Sequence, residues 1–369
     1  MIPVCEPTLT GKEKEYVGQC FDTNWISSAG EFIKKFEDGF SEYCGVRHGV
    51  ACSNGSTALH LAVESLGIGK GDEVIMPDFT IISCAKSILQ SGAKPVFIDV
   101  ESDTWNIDPK KIREKINSNT KAIMVVHLFG HPCEMDEIMQ IASEHNLKII
   151  EDCAEAHGAE YKGKKVGSFG DVACFSFYSN KIITTGEGGM VITNSDEIAE
   201  RLRLLRNLAF TEPRFVHHDF GYNYRLTNVQ AAMGVAQLEN IDNFVKARIN
   251  NAKSYNEFFK NSDLVRTPIC REGSKTVYWM YSVLLNQHDR DDVMNKLNEK
   301  GIQTRTLFYP MHMQPLLKEK GLVDENERFP VSEDLWKRGF YLPSSSSLTM
   351  EQIKFISETL LGVLNGNTN

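Results

Sequence analysis

Val172-Ala173-Cys174-Phe175-Ser176-Phe177-Tyr178 leads to Asn180-Lys181, and then to Ile182-Ile183-Thr184-Thr185-Gly186-Glu187-Gly188-Gly189-Met190. The first seven residues form a short apolar run bounded by turn signals, as in a buried strand. A lysine just past such a strand, beside a Gly-rich turn, can be partly stripped of water. Desolvation penalises the ammonium and leaves more free amine to attack an aldehyde. Taken alone, Lys181 reads more simply as a solvated loop lysine. Its significance rests on the other motifs.

Working outward, apolar runs at 49–52, 73–77, 95–99, 122–127, 147–151, 172–177 and 190–193 read as strands. They alternate with helical patterns such as 57–66, 82–91, 109–115 and 135–145. This alternation predicts an α/β fold, a mostly parallel sheet with helices on both faces. Ligands of such sheets gather outside the carboxyl ends of the strands. A helical pattern from 228 to 260 opens with a small-residue face, Val229 to Leu238. Beyond it, strand patterns at 277–285 and 304–308 and helical patterns at 291–300 and 351–364 read as a smaller α+β domain. The expected division is 16–249 for the large domain, with 1–15 and 250–369 forming the smaller one.

The 369 residues are 41% hydrophobic and 24% charged, enough for a large core. A net charge of −9 without a basic stripe argues against nucleic-acid binding. Nine scattered cysteines include no C-x-x-C pair and fit no disulfide framework. They read as buried thiols of a reducing compartment. No signal-peptide pattern opens the chain, and no apolar run approaches the ~18 residues of a membrane span. A soluble, cytoplasmic protein is expected.

Four stretches carry candidate chemistry. Cys52-Ser53-Asn54-Gly55-Ser56-Thr57-Ala58 follows a strand and opens a helix, whose free N–H groups suit a phosphate. The plainer reading is a helix cap. Ile149-Ile150-Glu151-Asp152-Cys153-Ala154-Glu155 places acids directly after a buried strand. There they face the sheet mouth or simply cap the next helix. Ser176 shares a strand face with Tyr178. Gly221-Tyr222-Asn223-Tyr224-Arg225 leads polar residues into the long helix. His127 and His131 lack a ligand cluster at metal spacing, so no metal site is expected. No G-x-G-x-x-G follows Ala51-Cys52, which argues against a dinucleotide-binding dehydrogenase.

Together these stretches resemble the DegT/DnrJ/EryC1/StrS nucleotide-sugar aminotransferases, of the fold-type-I pyridoxal-phosphate (PLP) transferase class. The likeness extends over nearly the whole chain, from Asn24-Trp25-Ile26-Ser27-Ser28 to Tyr309-Pro310-Met311-His312. It implies that Lys181 bonds to the PLP aldehyde and that Asp152 keeps the pyridine nitrogen protonated. Glu155 would face the ring hydroxyl. Gly55, Ser56, Thr57 and Ser176 would hold the phosphate, with Asn223 reaching it from the other subunit of a homodimer with shared active sites. Trp25, Arg225, Tyr309 and His312 are the implied substrate contacts. One departure stands out. The family usually stacks an aromatic residue on the ring where this chain has Ile81, so either Ile81 or a displaced Phe79 would cover it. The implied reaction moves the amino group of L-glutamate, through pyridoxamine phosphate, to C4 of a nucleotide-linked 4-keto-6-deoxy sugar. GDP-4-keto-6-deoxy-mannose is the expected acceptor, and a dTDP- or UDP-linked keto sugar or another small ketone is the alternative. A non-catalytic PLP-fold protein is the more distant reading.

Overall fold

The strands of the central sheet are runs of residues buried on both faces, which is why they read as unbroken apolar stretches rather than alternating ones. In the computed structural model, which describes residues 1–324 and 326–366, they are β1 (His48–Cys52), β2 (Glu73–Pro77), β3 (Lys94–Ile98), β4 (Thr120–Val126), β5 (Lys148–Asp152), β6 (Val172–Ser176) and β7 (Gly189–Thr193). Their order across the sheet is β1-β7-β6-β5-β4-β2-β3. All pairings are parallel except the two made by β7, which runs antiparallel to β1 and β6. The strand boundaries lie within two residues of those expected.

Helices cover the sheet: α1 (Lys12–Asp22), α2 (Glu31–Cys44), α3 (Gly55–Ser65), α4 (Ile82–Gln90), α5 (Pro109–Lys115), α6 (Met135–His145) and α7 (Asp196–Arg206). The single long helix expected over 228–260 is two, α8 (Asn228–Leu238) and α9 (Ile241–Phe259). Asn240 lies between them at φ −115°, ψ 7°, outside helical geometry, and breaks the ladder. α9 links two apolar cores. Its Phe244 and Val245 pack into the core of the large sheet, and its Ala252, Tyr255 and Phe259 into a second core.

That second core is built on a four-stranded antiparallel sheet, β8 (Val265–Arg266), β9 (Tyr281–Leu285), β10 (Arg305–Thr306) and β11 (Gly339–Leu342), in the order β8-β9-β11-β10. The strand expected from 277 begins only at Tyr281, because Tyr278 takes a left-handed φ of 48°. α10 (Arg290–Glu299), α11 (Pro315–Glu319), α12 (Pro330–Arg338) and α13 (Met350–Leu364) complete the chain. Among the described residues no helix is long and apolar enough to cross a membrane.

The segment between β10 and α12 is tied back to the large sheet at two buried aspartates just past strand ends. Asp78 accepts from His312 N at 2.8 Å and from His312 Nδ1 at 2.9 Å. Asp99 accepts from Val331 N at 3.1 Å and Ser332 N at 3.0 Å. These ties set one wall of the site.

Candidate active site

A cavity of about 830 Å³ opens at the carboxyl ends of β4, β5 and β6, where Val126, Asp152 and Ser176 line it. That volume is in the range of small-molecule sites. Its far wall is the segment from Arg305 to Tyr309 together with Trp336 and Tyr341.

Lys181 enters from the turn after β6. Its N–H donates to Tyr178 O at 2.9 Å, and Thr184 Oγ1 and Thr185 N both donate to Phe177 O, at 2.9 and 3.0 Å. The return to β7 passes so close to α3 that a Cβ on Gly189 would lie 2.3 Å from Asn54 O. Hence the glycines after the lysine. Lys181 Nζ sits 3.7 Å from the centroid of Trp279, whose Nε1 donates to Asn180 O at 2.8 Å. Burial lowers the Lys181 ammonium below its ordinary value, while Glu155 and Asp152 pull the other way. A cation–π contact is its main direct support, so the amine is held in place without a carboxylate locked onto it.

Asp152 ends β5 and is buried. Its Oδ1 accepts from Ala154 N at 2.9 Å and its Oδ2 from Cys84 Sγ at 3.1 Å. Glu155, one turn on, is also buried, and its Oε2 accepts from Phe129 N at 2.8 Å. Burial pushes its carboxyl up to about 7, with the Lys181 charge opposing the rise. The site thus holds two acids and one amine in a dry pocket, the kind of grouping that shifts proton affinities for chemistry.

The opposite end of the cavity is the N-terminus of α3. Both sequence readings hold there at once. Asn54 and Thr57 form a capping box, with Thr57 N donating to Asn54 Oδ1 at 2.9 Å and Asn54 N to Thr57 Oγ1 at 3.1 Å. The N–H groups of Gly55 and Ser56, the first two helical positions, have no intrahelical acceptor and line the cavity. Ser176 closes the cup: a Cβ on Gly55 would lie 2.7 Å from Ser176 Cβ, so only glycine lets α3 approach the β6 end this closely. This donor set fits PLP: N–H and hydroxyl donors for the phosphate, a carboxylate for the ring nitrogen, and an amine for the aldehyde.

The structure brings Gly55, Ser56, Thr57, Ile81, Asp152, Glu155, Ser176, Lys181 and Tyr309 to this cavity. It leaves four residues elsewhere. Asn223 Oδ1 accepts from Arg225 Nε and Nη2, at 3.0 and 2.7 Å, and neither side chain lines the cavity of its own chain. Trp25 is 57% exposed and does not line it. His312 is buried behind the wall, with Nδ1 on Asp78 and Nε2 3.2 Å from Glu333 Oε1. Of the two residues proposed to cover the ring, Ile81 lines the cavity, while Phe79 is fully buried and packs edge-on against Phe308. Sequence reasoning missed Cys84, Trp279, Lys86 and Arg305. No local motif marks them: Cys84 and Lys86 sit on α4, Arg305 on β10 and Trp279 just before β9, and they meet the site only through folding.

His127, Glu151 and Cys153 lie close together, but the polar atoms of His127 and Glu151 are already committed. His127 Nδ1 accepts from Cys133 N at 3.0 Å, so Nε2 carries the proton and donates to Glu151 Oε2 at 3.1 Å. Glu151 also accepts from Gly167 N, Phe169 N and Gly170 N. This is a buried brace under the strand ends, and a metal would have to break it.

Comparison with known proteins agrees with this geometry. The profile of the DegT/DnrJ/EryC1/StrS aminotransferase family matches residues 7–361. A GDP-perosamine synthase of Escherichia coli O157:H7 is 46% identical over 364 residues, covering 97% of each chain. One from Caulobacter vibrioides is 45% identical over 368 residues, covering 98% of each. The crystal structure of the aminotransferase TlmJ from Streptoalloteichus hindustanus superimposes with a TM-score of 0.94 over the full length of both chains, at 30% identity. By profile, relatives and fold, the chain is a member of the DegT/DnrJ/EryC1/StrS aminotransferase family and a PLP-dependent sugar transaminase.

Proposed function

We propose that this transaminase takes the amino group of L-glutamate and delivers it to C4 of GDP-4-keto-6-deoxy-mannose, yielding GDP-perosamine. The observation that carries the reading is the convergence of Lys181 and Asp152 on one cavity whose other end is the open N-terminus of α3. The acceptor is taken from the perosamine synthases of 42–46% identity that match nearly end to end.

When bound, PLP supplies an electron sink for the pair left behind as a proton leaves carbon. The chain's own residues do the rest. Lys181 Nζ, whose ammonium form burial disfavours, removes the proton from Cα of glutamate. In the return half it delivers a proton to C4 of the sugar. Asp152 would face the ring nitrogen. Gly55, Ser56, Thr57 and Ser176 would anchor the phosphate so that Lys181 and the substrate carbon stay in register. Ile81 would cover the ring by dispersion. Trp279 keeps Nζ aimed into the cavity between proton transfers.

Asn223 and Arg225 lie outside their own cavity, which supports a homodimer in which each chain lends this stretch to its partner. The exposed Trp25, Phe215 and Phe220 support a covered surface. A nucleotide-linked sugar substrate fits a cytoplasmic enzyme. The decisive experiment offers glutamate with GDP-, dTDP- and UDP-linked 4-keto sugars. Preference for the GDP sugar by at least tenfold in kcat/KM is expected. Equal or better turnover of another nucleotide would overturn the acceptor. Mixing Lys181→Ala with Asn223→Ala chains tests the dimer, because one intact site per mixed dimer should regain activity. No regain would refute the shared site.

A further inference from the structure

The first turn of α4 touches both ends of the cofactor cup through consecutive side chains. Ser83 Oγ lies 2.9 Å from Ser56 Oγ, at the phosphate end. Cys84 Sγ donates to Asp152 Oδ2 at 3.1 Å, at the ring-nitrogen end. Cys84 does not line the cavity. It is fully buried behind Asp152, with Thr80 Oγ1 at 3.7 Å.

An aspartate carboxylate turns freely about its last torsion unless its oxygens are held. Asp152 has two neighbours that hold it, Ala154 N on Oδ1 and the Cys84 thiol on Oδ2. The backbone donor alone would leave the second oxygen free to swing. Burial and the adjacent Asp152 push the Cys84 thiol well above its ordinary range, so it keeps its proton and serves as donor. A thiol is a weak donor. It orients Oδ2 while drawing off less of its charge than a hydroxyl or amide would, and that charge is what a pyridinium nitrogen needs opposite it.

We propose that Cys84 is a positioning residue for the cofactor ring, its thiol setting the plane of the Asp152 carboxylate from behind. The inference rests on the reading of Asp152 as the ring-nitrogen partner. It makes the start of α4 a brace that couples the phosphate cup to the electron-sink acid.

The test compares Cys84→Ala, Cys84→Val and Cys84→Ser with Asp152→Asn. Ala and Val remove the donor, and Val refills the space. Ser restores a donor in a slightly smaller side chain. Two quantities are read: the affinity of cofactor-free protein for PLP, by titration of its visible absorption, and kcat and KM for glutamate. Loss of one hydrogen bond predicts a fall of about three- to tenfold in PLP affinity and in kcat for Ala and Val, with KM for glutamate unchanged. Ser should return to within about twofold of wild type. If Val matches wild type while Ser falls with Ala, Cys84 acts by packing and the inference is wrong. Wild-type values for all three variants overturn it too. If Asp152→Asn is crippled but the Cys84 variants are not, only the role of Cys84 fails. Wild-type behaviour of Asp152→Asn removes the underlying reading of Asp152 itself.

Discussion

Replacing Glu155 by Gln isolates the electrostatic cost of the site. Glu155 is 5% exposed, and its Oε2 accepts from Phe129 N, a bond that an amide oxygen can keep. Burial raises its carboxyl from 4.5 to about 7. Its folded-state proton affinity therefore exceeds that of the unfolded chain. The stability it contributes is fully present below 4.5 and is lost as pH rises through about 7. At about 1.4 kcal/mol per pH unit, that interval is worth roughly 3.5 kcal/mol. The Lys181 charge, which opposes the rise, is already counted in that interval. Unfolding entropy near about 2.1 cal/mol/K per residue makes 1 kcal/mol worth roughly 1.3 °C in a chain of this length. Melting curves of cofactor-free wild type and Glu155→Gln, taken from about pH 4.5 to pH 8, should diverge by about 4.5 °C in favour of the variant at the alkaline end. Other titrating groups are common to both proteins and cancel in the difference, apart from Lys181, whose ammonium loses the support of the Glu155 charge in the variant. Parallel curves across that range would refute the argument that Glu155 is forced to ionise in a dry site.

Lys181→Ala should cost at least about 10²–10⁴-fold in amino transfer, and its bound PLP should be washed out by dialysis after borohydride treatment, whereas wild type keeps it. Its melting temperature should hardly change, since Lys181 rests chiefly on Trp279. Gly55→Ala forces its Cβ to within 2.7 Å of Ser176 Cβ and should weaken PLP binding about tenfold or more, measured by titration of the cofactor-free protein. His312→Asn should destabilise by about 3 kcal/mol or more at pH 6, because it takes the imidazole partner from buried Asp78 and leaves it the backbone donor. Burial works against the His312 charge, but Asp78 and Glu333 outweigh it and raise its proton affinity. The stability from this pair is thus complete below 6.5 and lost as pH rises through the higher folded value, so the variant should show a flatter melt-versus-pH curve above 6.5. An unchanged slope would count against the clamp.

Much of this protein was legible in its order of residues. Local physics determines a strand buried on both faces, a helix opened by Asn54 and Thr57, and a lysine set in a Gly-rich turn. Each depends on neighbours within a few positions, so pattern places Lys181, Asp152 and the α3 N-terminus, while their roles came from the family resemblance. Gly186, a turn residue at φ 80°, is legible for the same reason, whereas Gly189 answers to a close pass against the distant Asn54 O. The break of the 228–260 pattern at Asn240 was not, because apolar helical spacing continues through it in Leu238, Ile241, Phe244 and Val245.

Tertiary structure alone decided the rest. Trp279 comes under Lys181, and Cys84 behind Asp152, across 98 and 68 positions of chain, and no periodicity encodes such meetings. His312 carries a motif near the chain end, yet its fate as a buried clamp follows from where Asp78 and Glu333 arrive. Burial and partner choice are properties of the assembled core: the desolvation that raises Glu155 and lowers Lys181 exists only once distant segments have closed over them.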